Sequence, residues 1–102
     1  MVLLLTGDPI DTARAFELGL VSEVVDADAL LGTARACAGR IAAQAPLAVA
    51  AIKRAVNGGV DRPVADGLAA ERREFVALFG TEDATEGIAA FREKRAATWS
   101  GR

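Results

Sequence analysis

A chain of 102 residues with net charge −2 fits one small domain and carries no general basic footprint for nucleic acid. Hydrophobic residues make up 52% of it, yet no apolar run approaches the ~20 residues of a membrane span, so neither nucleic acid nor membrane is expected as a partner. No histidine and a single cysteine, Cys37, exclude His-based acid–base chemistry, Ser-His triads, most zinc sites and an intramolecular disulfide.

Much of the apolar content is alanine, which favours helix but buries little surface per residue. Such helices pack closely and call for partners to complete their burial. Charge is uneven: residues 1–50 hold three Arg and six acids, net −3, and residues 51–102 hold nine Lys/Arg and eight acids, net +1. After Ala90, Arg92, Lys94, Arg95 and Arg102 face only Glu93, a local anion patch of net +3.

Met1 to Leu5 is apolar and stops at Thr6-Gly7-Asp8-Pro9, where Gly7 suits the position after a helix and Pro9 prevents continuation. Five residues make a marginal helix, so the chain reads as starting inside an element whose first half is missing. MVLLLTGDP is too short for a signal peptide and lacks a basic n-region; a cytoplasmic protein is expected. Asp11 can cap a short helix, Thr12 to Leu18, ending at Gly19. Val21 to Val25 is β-branched and short, and reads as an extended segment or edge strand.

Asp26 or Asp28 caps a helix to about Gln44, with Leu31, Ala34, Ala38, Ile41 and Ala45 as its apolar stripe. Gly32 and Gly39 weaken it or allow close helix–helix approach. Cys37 lies among its alanines and reads as a buried, inert thiol. Pro46 opens the next helix, which carries Val49, Ile52 and Val56 on one face, Lys53 and Arg54 on another, and is stopped by Asn57-Gly58-Gly59. Asp61-Arg62-Pro63 opens a helix to about Phe79, with Val64, Leu68, Phe75, Leu78 and Phe79 as its buried side and Glu71, Arg72, Arg73 and Glu74 as a solvated face. Thr81 caps a last helix, with Glu82 and Asp83 in its first turn and Arg92, Lys94 and Arg95 in its last, as the helix dipole favours. The expectation is all-α: five helices, one short extended piece and the stub of a sixth helix.

No Walker loop, G-x-G-x-x-G turn, paired metal ligands or nucleophile elbow is present. The acid pairs Glu82/Asp83 and Glu71/Glu74 fall on polar helix faces, which gives no basis for a raised carboxyl pKa. Trp99 reads as a packing anchor for the tail. Phe91 and Lys94 have a structural reading as helix-end residues and a functional one: a ring for a flat group and an ammonium for an anion.

Three stretches carry a resemblance. Leu5, Thr6, Gly7, Ile10, Ala15 and Gly19-Leu20-Val21 fit an LTG-x-x-I … GLV pattern. Ile41-Ala42, Ala45-Pro46-Leu47-Ala48 and Lys53 fit a second. Phe79, Thr81, Glu82-Asp83, Glu86-Gly87, Ala90-Phe91 and Glu93-Lys94-Arg95 fit a third. In order and spacing the chain resembles the C-terminal part of the enoyl-CoA hydratase/isomerase (crotonase) family across essentially its whole length.

The resemblance implies the C-terminal helical trimerisation region of an α/β, ββα-spiral fold, with residues 1–102 as that region. Family members are longer, and their oxyanion-hole N–H groups and catalytic carboxylates lie upstream of the LTG motif. No residue here is carried over as catalytic, and none as a metal ligand. Whether the chain by itself is an enzyme stays open; the parent would hydrate or isomerise an acyl-CoA thioester, with coenzyme A entering as part of the substrate and no separate cofactor. Phe91 and Lys94 fall on the family's coenzyme A-contacting positions, and Arg95 is a possible second cation. A homo-oligomer is implied. The alternative is a non-catalytic helical oligomerisation or interaction module.

Overall fold

The structure is a computed structural model and describes residues 1–102. It contains six helices and no strand: α1 (Val2–Thr6), α2 (Thr12–Glu17), α3 (Leu30–Ala42), α4 (Pro46–Gly59), α5 (Val64–Leu78) and α6 (Glu82–Glu93). The all-α expectation holds. Val21 to Val25 forms no strand; β-branched residues favour extended backbone, but a strand needs a neighbour to pair with, and the chain supplies none. Two compact units divide the chain, Met1–Ala36 and Cys37–Arg102.

In the first unit the turn chemistry sets the helices. The Gly7 N–H donates to the Leu3 carbonyl and Gly7 closes α1 at φ 70°. Asp11 caps α2 by accepting from the Arg14 N–H at 2.7 Å. At the other end the Leu20 N–H reaches the Ala15 carbonyl at 2.9 Å and the Gly19 N–H that of Phe16 at 3.0 Å. This paired closure places Gly19 at φ 70°, a left-handed conformation that glycine adopts without Cβ strain. Before α3 the Ala29 N–H donates to the Asp26 main-chain carbonyl at 3.0 Å, so backbone rather than the expected carboxylate closes that turn.

In the second unit α4 and α5 form the one extensively packed helix pair. Pro46 stands in the first turn of α4, where its missing N–H has no partner to lose. The helix ends at Gly59, within the expected Asn57-Gly58-Gly59 stop. A Cβ on Gly59 would lie 3.7 Å from Gly67 Cα of α5, so two glycines let the backbones approach where the hairpin begins. Nothing lies within 4 Å of a Cβ at Gly32 or Gly39, and the close approach read for them is not used. Arg54 Nη2 and Nε donate to Glu74 Oε2 at 2.7 and 3.0 Å, tying α4 to α5. Phe75 and Phe79 meet edge to face, centroids 5.0 Å apart.

The core is minimal. The buried apolar residues are Ala51 and Ala90, 2% and 3% exposed. Val64, Leu68, Phe75 and Phe79, expected on a buried side, are exposed, Val64 by 78%. Cys37 is exposed as well, against the expectation of a buried thiol. The apolar stripes exist, but only α4 against α5 is packed extensively, and one helix neighbour does not cover a whole apolar face.

Candidate functional site

The site is built on α6 and the nine residues after it. Thr81 caps α6 by accepting from the Ala84 N–H at 3.1 Å, while its hydroxyl donates to the Leu78 carbonyl at 2.7 Å. That second bond joins the end of α5 to the start of α6. Glu82 and Asp83 occupy the first turn, but Asp83 does not stay on a polar face as the sequence suggested. It is 3% exposed. Its carboxylate accepts from the Ser100 N–H at 2.7 Å and from the Gly101 N–H at 3.1 and 3.2 Å. Its own N–H donates to the Arg102 carbonyl at 3.2 Å. Buried acids are satisfied this way or not tolerated.

These bonds fold residues 96–102 back along α6 as a strap. Trp99 anchors it, as expected: the indole N–H donates to the Ala43 carbonyl at 2.9 Å. The ring lies against Gly87, where a Cβ would meet it at 3.4 Å. At the far end Gly101, at φ 73°, passes so close to Pro46 that a Cβ would lie 3.2 Å from its ring.

The reversal from helix to strap occurs at Lys94. The Lys94 N–H donates to the Phe91 carbonyl at 3.3 Å and the Arg95 N–H to the Ala90 carbonyl at 3.1 Å. The closure matches that of α2, but a lysine, at φ 54°, holds the left-handed position that Gly19 holds there. Lys94 is the only non-glycine residue of the chain at positive φ.

Arg95 is taken up by carboxylates. Its Nη1 and Nη2 donate to Glu86 Oε1 and Oε2 at 2.6 and 2.8 Å, and its Nε to Glu93 Oε2 at 2.6 Å. The Thr98 N–H adds a bond to Glu86 Oε1 at 2.8 Å. The Arg95 guanidinium, and after it the Thr98 N–H, hold the Glu86 carboxyl down at about 2. Glu86 first and Glu93 second raise the guanidinium of Arg95 above its ordinary value.

Phe91 and Lys94 are therefore brought together by a direct main-chain bond, and both are exposed, Phe91 by 86%. Lys94 belongs to none of the four ion pairs, Arg14–Glu17, Arg54–Glu74, Arg95–Glu86 and Arg95–Glu93. Chemically the pair offers a ring face and an uncommitted ammonium. Arg95, read as a possible second cation, is already committed to two carboxylates. Asp83 and the Glu86–Arg95 clamp escaped the sequence reading, because their partners lie 9 to 18 residues away, beyond the end of α6, in a segment without periodicity. No group of three or more His, Cys, Asp or Glu side chains could hold a metal ion, and no helix is long and apolar enough to cross a membrane.

Known proteins match the chain from end to end. The Enoyl-CoA hydratase/isomerase family model covers residues 1–102. The "Probable enoyl-CoA hydratase echA8" of Mycobacterium tuberculosis is 47% identical over 102 residues, 100% of this chain and 40% of that protein. The (E)-benzylidenesuccinyl-CoA hydratase of Thauera aromatica is 43% identical over 101 residues, 99% of this chain and 40% of its own length. A crystal structure of an enoyl-CoA hydratase/isomerase from Mycobacterium paratuberculosis superposes with a TM-score of 0.87 at 38% identity, over 91% of this chain and 37% of that one. The chain thus spans about 40% of the length of the curated relatives it matches.

Proposed function

The chain belongs to the enoyl-CoA hydratase/isomerase family, and from that premise we propose that it supplies the coenzyme A-contacting and subunit-packing part of an enzyme acting on acyl-CoA thioesters by hydration or double-bond isomerisation. The observation that carries the ligand half of this reading is the pairing of an 86%-exposed Phe91 ring with Lys94, a cation outside every ion pair. The ring offers apolar or stacking contact to an adenine. The ammonium offers a point charge to a phosphate. No residue here is proposed as catalytic: acyl-CoA chemistry of this kind needs donors preorganised at the thioester oxygen, and α6 with its strap presents none.

By itself the 102-residue chain is proposed to lack turnover. Hydration of a short enoyl-CoA, followed by loss of absorbance of the conjugated thioester, is the test; turnover by the pure chain overturns the reading. A cytoplasmic location and a homo-oligomeric parent belong to the same proposal.

A second reading is favoured by a separate observation. Ile52, Val56, Val60, Val64 and Leu68 line an open groove of about 470 Å³ between α4 and α5. Exposed apolar surface of this kind drives association. On this reading the chain acts as a non-catalytic oligomerisation module, and light scattering at low concentration separates the two: a stable monomer counts against it.

A further inference from the structure

Left-handed backbone in a residue with a Cβ is uncommon and costs roughly 1–2 kcal/mol. The chain meets the same demand with glycine at Gly7, Gly19 and Gly101, and with a side-chain residue only at Lys94. Something must hold Lys94 there. The cap's main-chain bonds are those of α2, so they alone do not distinguish the two ends. What α6 has in addition is the side chain of the next residue. Arg95 is gripped by both oxygens of Glu86, about two turns back along the helix, and by Glu93. A two-oxygen guanidinium–carboxylate pair fixes direction as well as distance. The same Glu86 oxygen that accepts from Arg95 Nη1 accepts from the Thr98 N–H, so one carboxylate holds the chain on both sides of Ala96-Ala97.

We propose that Glu86 is a positioning residue for the Lys94 ammonium: by clamping Arg95 and the Thr98 N–H it turns the chain through a left-handed lysine and withdraws Arg95, so that a phosphate beside Phe91 meets Lys94 rather than Arg95. The proposal rests on the coenzyme A reading above and adds to it which residue presents the charge. It accounts for two features together. A glycine at 94 would relax the backbone but present nothing. An unclamped Arg95 would place a second, bulkier cation on the same turn. Glu86 touches no ligand in this scheme and acts through Arg95.

The test uses the full 102-residue chain, Glu86→Gln, Arg95→Gln and the exchanged pair Glu86→Arg with Arg95→Glu. The first readout needs no ligand: a residue at positive φ gives a strong intraresidue HN–Hα NOE, visible for Lys94 by NMR. The second is the shift of the Phe91 ring signals on titration with coenzyme A. Either single variant is expected to weaken the Lys94 NOE while the α4 and α5 amide signals stay in place. Each should also weaken coenzyme A by roughly tenfold, the equivalent of one charged contact, and the exchanged pair should recover part of both, since an arginine at 86 re-forms the ion pair but offers the Thr98 N–H no acceptor. A Lys94 NOE unchanged in Glu86→Gln overturns the proposal, as does unchanged coenzyme A affinity when the NOE is lost. Should both single variants lose the α4–α5 signals, the exchanged pair decides, and its failure to recover the NOE overturns it. Absence of coenzyme A shifts in the wild-type chain instead overturns the ligand reading on which the proposal stands.

Discussion

The Trp99 indole N–H donates to the Ala43 carbonyl at 2.9 Å across 56 residues of chain. That bond ties the last residues of the protein to the turn before α4, and the ring beneath it covers Gly87 of α6. In a chain whose buried apolar residues are two alanines, a half-buried indole is a large share of the packing that holds the second unit together.

Replacement of Trp99 by Ala is accordingly expected to destabilise the second unit by about 2 kcal/mol, below the range for a fully buried Trp because this ring keeps some exposure. Urea unfolding followed by far-UV circular dichroism measures it. The loss should be accompanied by faster hydrogen exchange at Ser100 and Gly101, whose amides depend on the strap staying closed.

Asp83→Ala tests the other anchor. It removes the acceptor for the Ser100 and Gly101 N–H groups and leaves part-buried donors unpaired, at a cost of about 1 kcal/mol. Amide exchange at those two residues should rise severalfold. Asn at 83 keeps one acceptor oxygen and should recover part of the loss.

The clamp gives a pH dependence of definite sign. The Glu86 carboxyl ordinarily titrates near 4.5 and is held at about 2 in the folded chain, by Arg95 first and the Thr98 N–H second. A carboxyl depressed on folding stabilises the fold above its unfolded value, and that contribution is lost as pH falls from about 4.5 toward 2. The Thr98 amide shift should report the titration, and Glu86→Gln should flatten the acid limb of the stability curve. An acid limb unchanged in Glu86→Gln contradicts the assignment. Arg95 is exposed and Glu86 partly so, so added salt should reduce the effect.

The helices and their ends were legible in the sequence because their signals are local. Thr81 and Asp11 are side-chain caps three residues from the N–H groups they serve, and Gly7 and Gly19 sit at left-handed positions. Three kinds of feature were not legible. The burial of Asp83 depends on amides 17 and 18 residues later. The close approach of α4 to α5 at Gly59 depends on Gly67 in another helix. The exposure of Val64, Leu68 and Cys37 depends on what is missing opposite them: periodicity shows that a helix has an apolar face, not what covers it. Of the candidate site, Phe91 and Lys94 came from a resemblance in residue pattern, while the left-handed backbone of Lys94 came only from the structure.

The α4–α5 groove predicts concentration-dependent behaviour. Leu68→Glu places a charge among Ile52, Val56 and Val64. If exposed apolar contact drives association, the substitution should move the midpoint of self-association to at least about tenfold higher concentration, the effect of losing one well-buried apolar side chain of about 1.5 kcal/mol or more. Light scattering over a dilution series measures the shift. An unchanged midpoint would remove the groove from any interface.

Lys94 should separate stability from binding. In Lys94→Gly the left-handed position no longer carries a Cβ, and the fold is expected to gain up to about 1 kcal/mol, offset in part by the greater freedom of glycine in the unfolded chain. The same change removes a cation at the end of α6 that no carboxylate engages, so coenzyme A affinity is expected to fall by roughly tenfold. Lys94→Ala should lose the affinity without the gain, because alanine keeps the Cβ. Phe91→Ala should lose affinity with little change in stability, since an 86%-exposed ring contributes little packing. A glycine variant that is more stable and still binds coenzyme A as the wild type does would mean that the strained lysine serves no ligand. A variant that is both less stable and weaker would mean that the lysine side chain supports the cap itself. Only opposite movements of stability and affinity fit a residue kept in an unfavourable backbone conformation for what its side chain reaches.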